Sequence, residues 1–111
     1  MSDLTIYEIL DRHAARESLA GAFLWRADIS GLDLSGIDLR GANLSDSLAR
    51  GTSFRNARLD RADFTGADLS DADLRGASLL GTVFLGAILE GTRFGALDDA
   101  VTACPDRKDT Q

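Results

Sequence analysis

From residue 19 to residue 94 a large apolar side chain returns at every fifth position. That period fits neither the two-residue alternation of a strand nor the 3.6 residues of a helical turn. The marked positions are Leu19, Leu24, Ile29, Leu34, Leu39, Leu44, Ala49, Phe54, Leu59, Phe64, Leu69, Leu74, Leu79, Phe84, Leu89 and Phe94, and only Ala49 is small. A plain helix or sheet cannot gather such a series on one face, so the period marks a repeat architecture.

The rest of each unit follows the same beat. Two residues before the centre stands a small residue, as at Ala22, Ala27, Ala42, Ala57, Ala62, Ala67, Ala72, Ala77 and Ala87, with Ser47, Thr52, Thr82 and Thr92 as near equivalents. Glu17, Leu32 and Ile37 depart from it. Two residues after the centre comes glycine in ten units, among them Gly21, Gly66 and Gly91. Just before the centre, Asp or Asn fills Asp28, Asp33, Asp38, Asn43, Asp63, Asp68 and Asp73. The unit reads Ala-Asp-Leu-x-Gly. The large and small residues, two apart, point inward together, the others point out, and glycine supplies the corner geometry at little steric cost.

The stretch Ala62-Asp63-Phe64-Thr65-Gly66-Ala67-Asp68-Leu69-Ser70-Asp71-Ala72-Asp73-Leu74-Arg75-Gly76 resembles the consensus of the pentapeptide-repeat family, and the resemblance covers residues 17–96 as sixteen units. It implies an all-β solenoid, a right-handed quadrilateral β-helix in which four pentapeptides make one coil of twenty residues, so about four coils. At about 4.8 Å per layer the tract is about 19 Å tall.

The expected organisation is a single domain: an N-terminal capping helix within residues 1–16, the β-helix over 17–96, and a short C-terminal segment and tail over 97–111. Leu4 to Arg16 has Ile6, Ile9, Leu10 and Ala14 at helical spacing, with Ser2 or Asp3 available as a cap. This helix is expected to lid the first coil, with Ile6, Tyr7, Ile9 and Leu10 covering Phe23 or Trp25. In the tail, Leu97, Ala100 and Val101 permit a turn or two of helix before Pro105.

Catalysis finds little support. There is one histidine, His13, and one cysteine, Cys104, both outside the repeats, and no Walker-type, HExxH, CxxC or GxSxG motif. No catalytic residue, cofactor or metal is assigned. Stacking at a spacing of twenty puts Asp28, Leu48, Asp68 and Ile88 in one column and Asp33, Ser53, Asp73 and Arg93 in another. No aspartate of this set stacks on another, which weakens a calcium reading; the side chains are expected to bond local backbone instead. With no run of 18 apolar residues and an acidic N-terminus, no membrane span or signal peptide is expected and the setting is read as cytoplasmic.

Some members of the family mimic DNA, bind type II topoisomerases such as gyrase and protect them from quinolones, so the resemblance implies that as an alternative function. The net charge of −6 has the right sign. Its size does not: residues 17–96 hold 11 acidic and 8 basic side chains, a net of −3, whereas about 19 Å of B-DNA carries about 11 charges. Direct nucleic-acid binding is not expected. The better-supported expectation is a non-catalytic bacterial scaffold or protein-binding module, with an unidentified protein partner or a second copy engaged through the C-terminal coil. Candidate interface residues are Leu80, Val83, Leu85 and Ile88, outward positions of the last coil that ought to be polar and here are not, together with Phe94, the last centre of a coil whose open end would leave edge groups uncovered. Leu48 before Ala49 inverts the pattern in mid-tract and marks either a bulge, a contact or a packing irregularity.

Overall fold

The computed structural model describes residues 6–94, Ile6 by its backbone alone. The expected helix start at Leu4, its caps Ser2 and Asp3, and the segment 95–111 with Leu97, Val101 and Cys104 lie outside the described residues.

Every backbone bridge along the repeat joins a residue to the one twenty positions later. Parallel bridges run Phe23 to Asn43, Asp28 to Leu48, Asp33 to Ser53 and Asp38 to Arg58, and continue in the same step up to Asp73 with Arg93. These are isolated bridges rather than strands, because each side is only five residues long and most of it is corner. At each corner the amide of the small residue donates to the carbonyl of the large residue three positions back, as Ala22 to Leu19 and Ala42 to Leu39, both at 3.0 Å. The third residue of the turn has positive φ, as a type II turn requires. Twenty-residue layers built from five-residue sides give four walls. The first is centred on Leu19, Leu39, Leu59 and Leu79, and the second on Leu24, Leu44, Phe64 and Phe84. The third runs through Ile29, Ala49, Leu69 and Leu89, and the fourth through Leu34, Phe54, Leu74 and Phe94.

The positive-φ position is not always glycine. Arg16, Arg26, Asp46, Asn56, Arg61 and Asp71 occupy it with φ between 55° and 62°, a conformation that costs an ordinary residue about 1–2 kcal/mol. At Arg26, Asp46, Asn56, Arg61 and Asp71 the ladder over-determines the geometry, since the corner's own amide and that of the centre two residues before it both bond the layer above. An example is Leu44 to Asp63 and Asp46 to Thr65, each at 2.8 Å.

Inside, the large residues form a column in which Ile29, Leu34, Leu39, Leu44, Phe54, Leu59, Phe64, Leu69 and Leu74 are fully buried. The phenylalanines continue one another: Phe54 meets Phe64 edge-on at 5.9 Å, Phe64 stacks on Phe84 at 5.5 Å, and Phe84 meets Phe94 edge-on at 6.0 Å. Ala49 is also fully buried, and Leu48 bridges normally to both Asp28 and Asp68, so the mid-tract inversion is not a bulge. Small inward positions are filled by alanine or by hydroxyls that find a carbonyl. Thr52, Thr82 and Thr92 donate to Ile29, Leu59 and Leu69 at 2.7–2.8 Å. Buried Ser47 has no partner for its hydroxyl among the described residues.

The helix α1 spans Ile6–Ala14, with Glu8 in its first turn and Arg12 and His13 in its last, an arrangement that complements the helix dipole. Ile9 is buried in the core cluster and Leu10 packs against it. Burying one such side chain contributes roughly 1.5–3 kcal/mol. Where α1 ends, Arg16 donates to the His13 carbonyl at 3.0 Å and Glu17 to that of Arg12 at 2.9 Å. Together with the left-handed Arg16 (φ 60°) this is a Schellman motif. Arg16 also stands five residues before Gly21 and so on the beat of every later corner. One residue ends the helix and starts the repeat.

Candidate interaction surfaces

The outward residues are set by the wall geometry. The residue before each centre and the residue after it form two columns on every wall. Where the first is Asp or Asn, its Oδ1 accepts the amide of the second, as for Ser35 on Asp33 at 3.1 Å, Thr65 on Asp63 at 2.9 Å and Ser70 on Asp68 at 3.0 Å. The hydroxyls of Ser35, Ser45 and Ser70 donate to the same oxygens at 2.6 Å. At two units arginine replaces the hydroxyl: Arg40 and Arg75 grip Asp38 and Asp73 with both Nε and Nη2, at 2.8–2.9 Å.

These bonds favour the ionised carboxylates. The Ser35 hydroxyl lowers the pKa of Asp33 and the Ser70 hydroxyl that of Asp68; the Arg40 guanidinium holds Asp38 well below the usual aspartate range, and the Arg75 guanidinium lowers Asp73. The aspartates are thus occupied as local clasps, each bonding its own wall. Among the described residues no three acidic, histidine or cysteine side chains gather as a metal site.

Two open grooves flank the C-terminal half of α1. One, of about 370 Å³, is lined by His13, Arg16, Glu17, Ser35 and Asp38, and the other, of about 320 Å³, by Arg12, Ser18, Leu19 and Phe23. The Ser35 hydroxyl in the first donates to Asp33 rather than to His13, so the groove holds no paired nucleophile and base.

The apolar candidates divide. Leu80, Val83, Leu85 and Ile88 are exposed by 79, 40, 59 and 49 %. They form a belt around the last layer, on its first, second and third walls, and face sideways rather than along the axis. Phe94 does not join them: it is 8 % exposed and meets Phe84 edge-on, so it belongs to the core. At the other end Ile9 is buried in the core cluster with Leu10 packed against it, whereas Tyr7 is 78 % exposed and Phe23, which these residues were expected to cover, is 37 % exposed. Its ring lies 6.5 Å from that of Trp25, and the Arg26 guanidinium covers the indole at 5.4 Å. Ile9 joins the core cluster, while on the second wall Phe23 is exposed and Trp25 half-buried. Arg26 escapes a motif-based reading because it stands at a corner that usually takes glycine.

A family model of pentapeptide repeats matches in eight copies, over residues 18–46, 37–76 and 67–95. The chain belongs to the pentapeptide-repeat family. Among solved structures it is similar to a pentapeptide-repeat protein of the Arabidopsis thaliana thylakoid lumen, at 37 % identity and a TM-score of 0.60 over 61 % of this chain and 47 % of that one. It is also similar to Rfr23 of Cyanothece (32 % identity, TM-score 0.42, covering 72 % of this chain and 54 % of that one). A third relative is a pentapeptide-repeat protein of Nostoc (34 % identity, TM-score 0.40, covering 89 % and 92 %). The chain spans about half the length of the first two. No curated protein matches it. For this pentapeptide-repeat protein, the family and its solved members imply a right-handed quadrilateral β-helix.

Proposed function

We propose that the protein is a non-catalytic protein-binding module of the cytoplasm: a β-helix of four coils, lidded by α1, that presents rigid flat walls to a protein partner. The observation that carries this is the belt of Leu80, Val83, Leu85 and Ile88, exposed on a scaffold whose other outward positions are mostly polar and internally bonded. Exposed apolar side chains held on a stiff backbone bind with little ordering cost. The aspartates support the same reading, since their bonds are used to hold the walls flat.

A duplex-like negative field has less support. Arg40 and Arg75 neutralise Asp38 and Asp73 directly, and Arg50 and Arg55 approach Asp68 and Asp73 at 3.7 and 3.9 Å.

The test compares native-lysate capture by the intact protein with capture by a Leu80→Asp/Leu85→Asp variant. A partner retained by the first and lost by the second is expected. Identical capture by both overturns the assignment of the belt.

A further inference from the structure

Two apolar pairs sit on the same wall. The bridges Phe23 to Asn43, Asn43 to Asp63 and Asp63 to Val83 make one continuous column of the second wall. The neighbouring column runs Trp25, Ser45, Thr65, Leu85, and its register is fixed by the bonds from Arg26 to the Ser45 carbonyl, Asp46 to Thr65 and Gly66 to Leu85. The second wall is therefore apolar in its first layer, polar in the two middle layers and apolar again in its last.

This pattern is self-complementary under one operation. A twofold axis lying in the plane of the wall, perpendicular to the solenoid axis, exchanges first with last layer and second with third while keeping each column opposite itself. Phe23 then faces Val83 and Trp25 faces Leu85. In the middle, Asn43 faces Asp63, an amide donor against a carboxylate acceptor. Asp63 is the only charged group in the two columns, and this operation keeps the two copies of it apart. At the wall's edges large meets small: Leu80 opposite Ala20, and Arg26 opposite Gly86.

We infer that the second wall binds a second copy of this chain, face to face and antiparallel. This rests on reading the protein as a binding module and names the partner and the surface. A wall about 19 Å tall falls short of the roughly 800 Å² per partner of a standard stable interface, so the pair is weak and exchanging. An aligned parallel pair would swap the columns, setting Phe23 against Trp25 in the first layer and Val83 against Leu85 in the last, so two flat walls would be held wide apart at one end and narrow at the other; the antiparallel pair matches a large ring with a smaller side chain at both ends.

Facing sheets stand about 10 Å apart, beyond the reach of a disulfide, so the test uses a short bismaleimide. In a Cys104→Ser background, one chain carries Phe23→Cys and another Val83→Cys. Both positions are exposed, so folding is retained. Mixing the two is expected to give a covalent product of twice the monomer mass, with at least tenfold less from either chain alone, and Leu85→Asp on both chains should abolish it. Cross-linking by the Val83→Cys chain alone, at the level of the mixture, would overturn the antiparallel arrangement in favour of contact between last layers. Absence of any product would overturn the pairing. If lysate capture through the belt persists in that case, the binding-module reading stands and only the second-copy assignment falls.

Discussion

The side-chain amide oxygen of Asn56 occupies the place where a Cβ on Gly76, twenty residues later, would have to stand. Asp46 does the same over Gly66, and Asp71 over Gly91. Wherever a left-handed corner carries one of these Asx residues, the corner above it is glycine, for two reasons at once: positive φ and occupied space.

Gly36 provides the comparison, since it has φ 73° and no described atom within 4 Å of the place a Cβ would take. Gly36→Ala should cost about 1–2 kcal/mol from backbone strain alone. Gly76→Ala should cost about 1 kcal/mol more, and the excess should vanish in an Asn56→Gly background, where a double-mutant cycle by urea denaturation reads the coupling directly.

Arg16 closes α1 and sets the first corner with φ 60°. Arg16→Gly should stabilise the protein by about 0.5–1 kcal/mol, while Arg16→Val should destabilise it by more than about 1 kcal/mol, since a β-branched side chain tolerates that conformation poorly. Thermal melts of the two variants should shift in opposite directions.

Ser47 carries a buried hydroxyl without a partner among the described residues, whereas the Thr52 hydroxyl is bonded to the Ile29 carbonyl at 2.8 Å. Ser47→Ala should be neutral or stabilising by about 1 kcal/mol, and Thr52→Val should destabilise by about 1 kcal/mol. Equal effects in denaturant titrations would refute the assignment of these two sites.

Asp33, Asp38, Asp68 and Asp73 all have folded pKa values depressed below the ordinary 3.8. Their stabilising contribution is complete above that value and disappears as pH falls through the folded values, because the unfolded chain then binds more protons. The urea midpoint should therefore drop below about pH 4, and the drop should be shallower in an Asp38→Asn/Asp73→Asn variant.

The five-residue beat was legible in the sequence because each wall asks for the same thing: one large residue and one small residue inward, and a corner after them. The column assignment followed from counting by twenty, and the bridges from Phe23 onward keep that count. The mid-tract inversion at Leu48 and Ala49 could not be resolved by counting, since a bulge and a regular wall share one sequence there. Ends were the harder part. Phe94 looked available because a last layer has no repeat above it, yet it lies against Phe84. The pair Phe23 and Trp25 was expected under α1 because the helix is apolar on one side; Ile9 and Leu10 pack into the core cluster, and of the pair Phe23 is exposed and Trp25 half-buried. The alignment of Phe23 with Val83 and of Trp25 with Leu85, three layers apart, was present in the numbering. It gains meaning only once the wall is known to be flat and continuous.

Light scattering of the intact chain over a wide concentration range tests most directly that the second wall binds a second copy of the chain. The expected result is a reversible rise from the monomer mass toward twice that value, abolished by Leu85→Asp with the fold intact by circular dichroism. A mass that stays monomeric at every concentration, or a dimer that Leu85→Asp leaves unchanged, would contradict it.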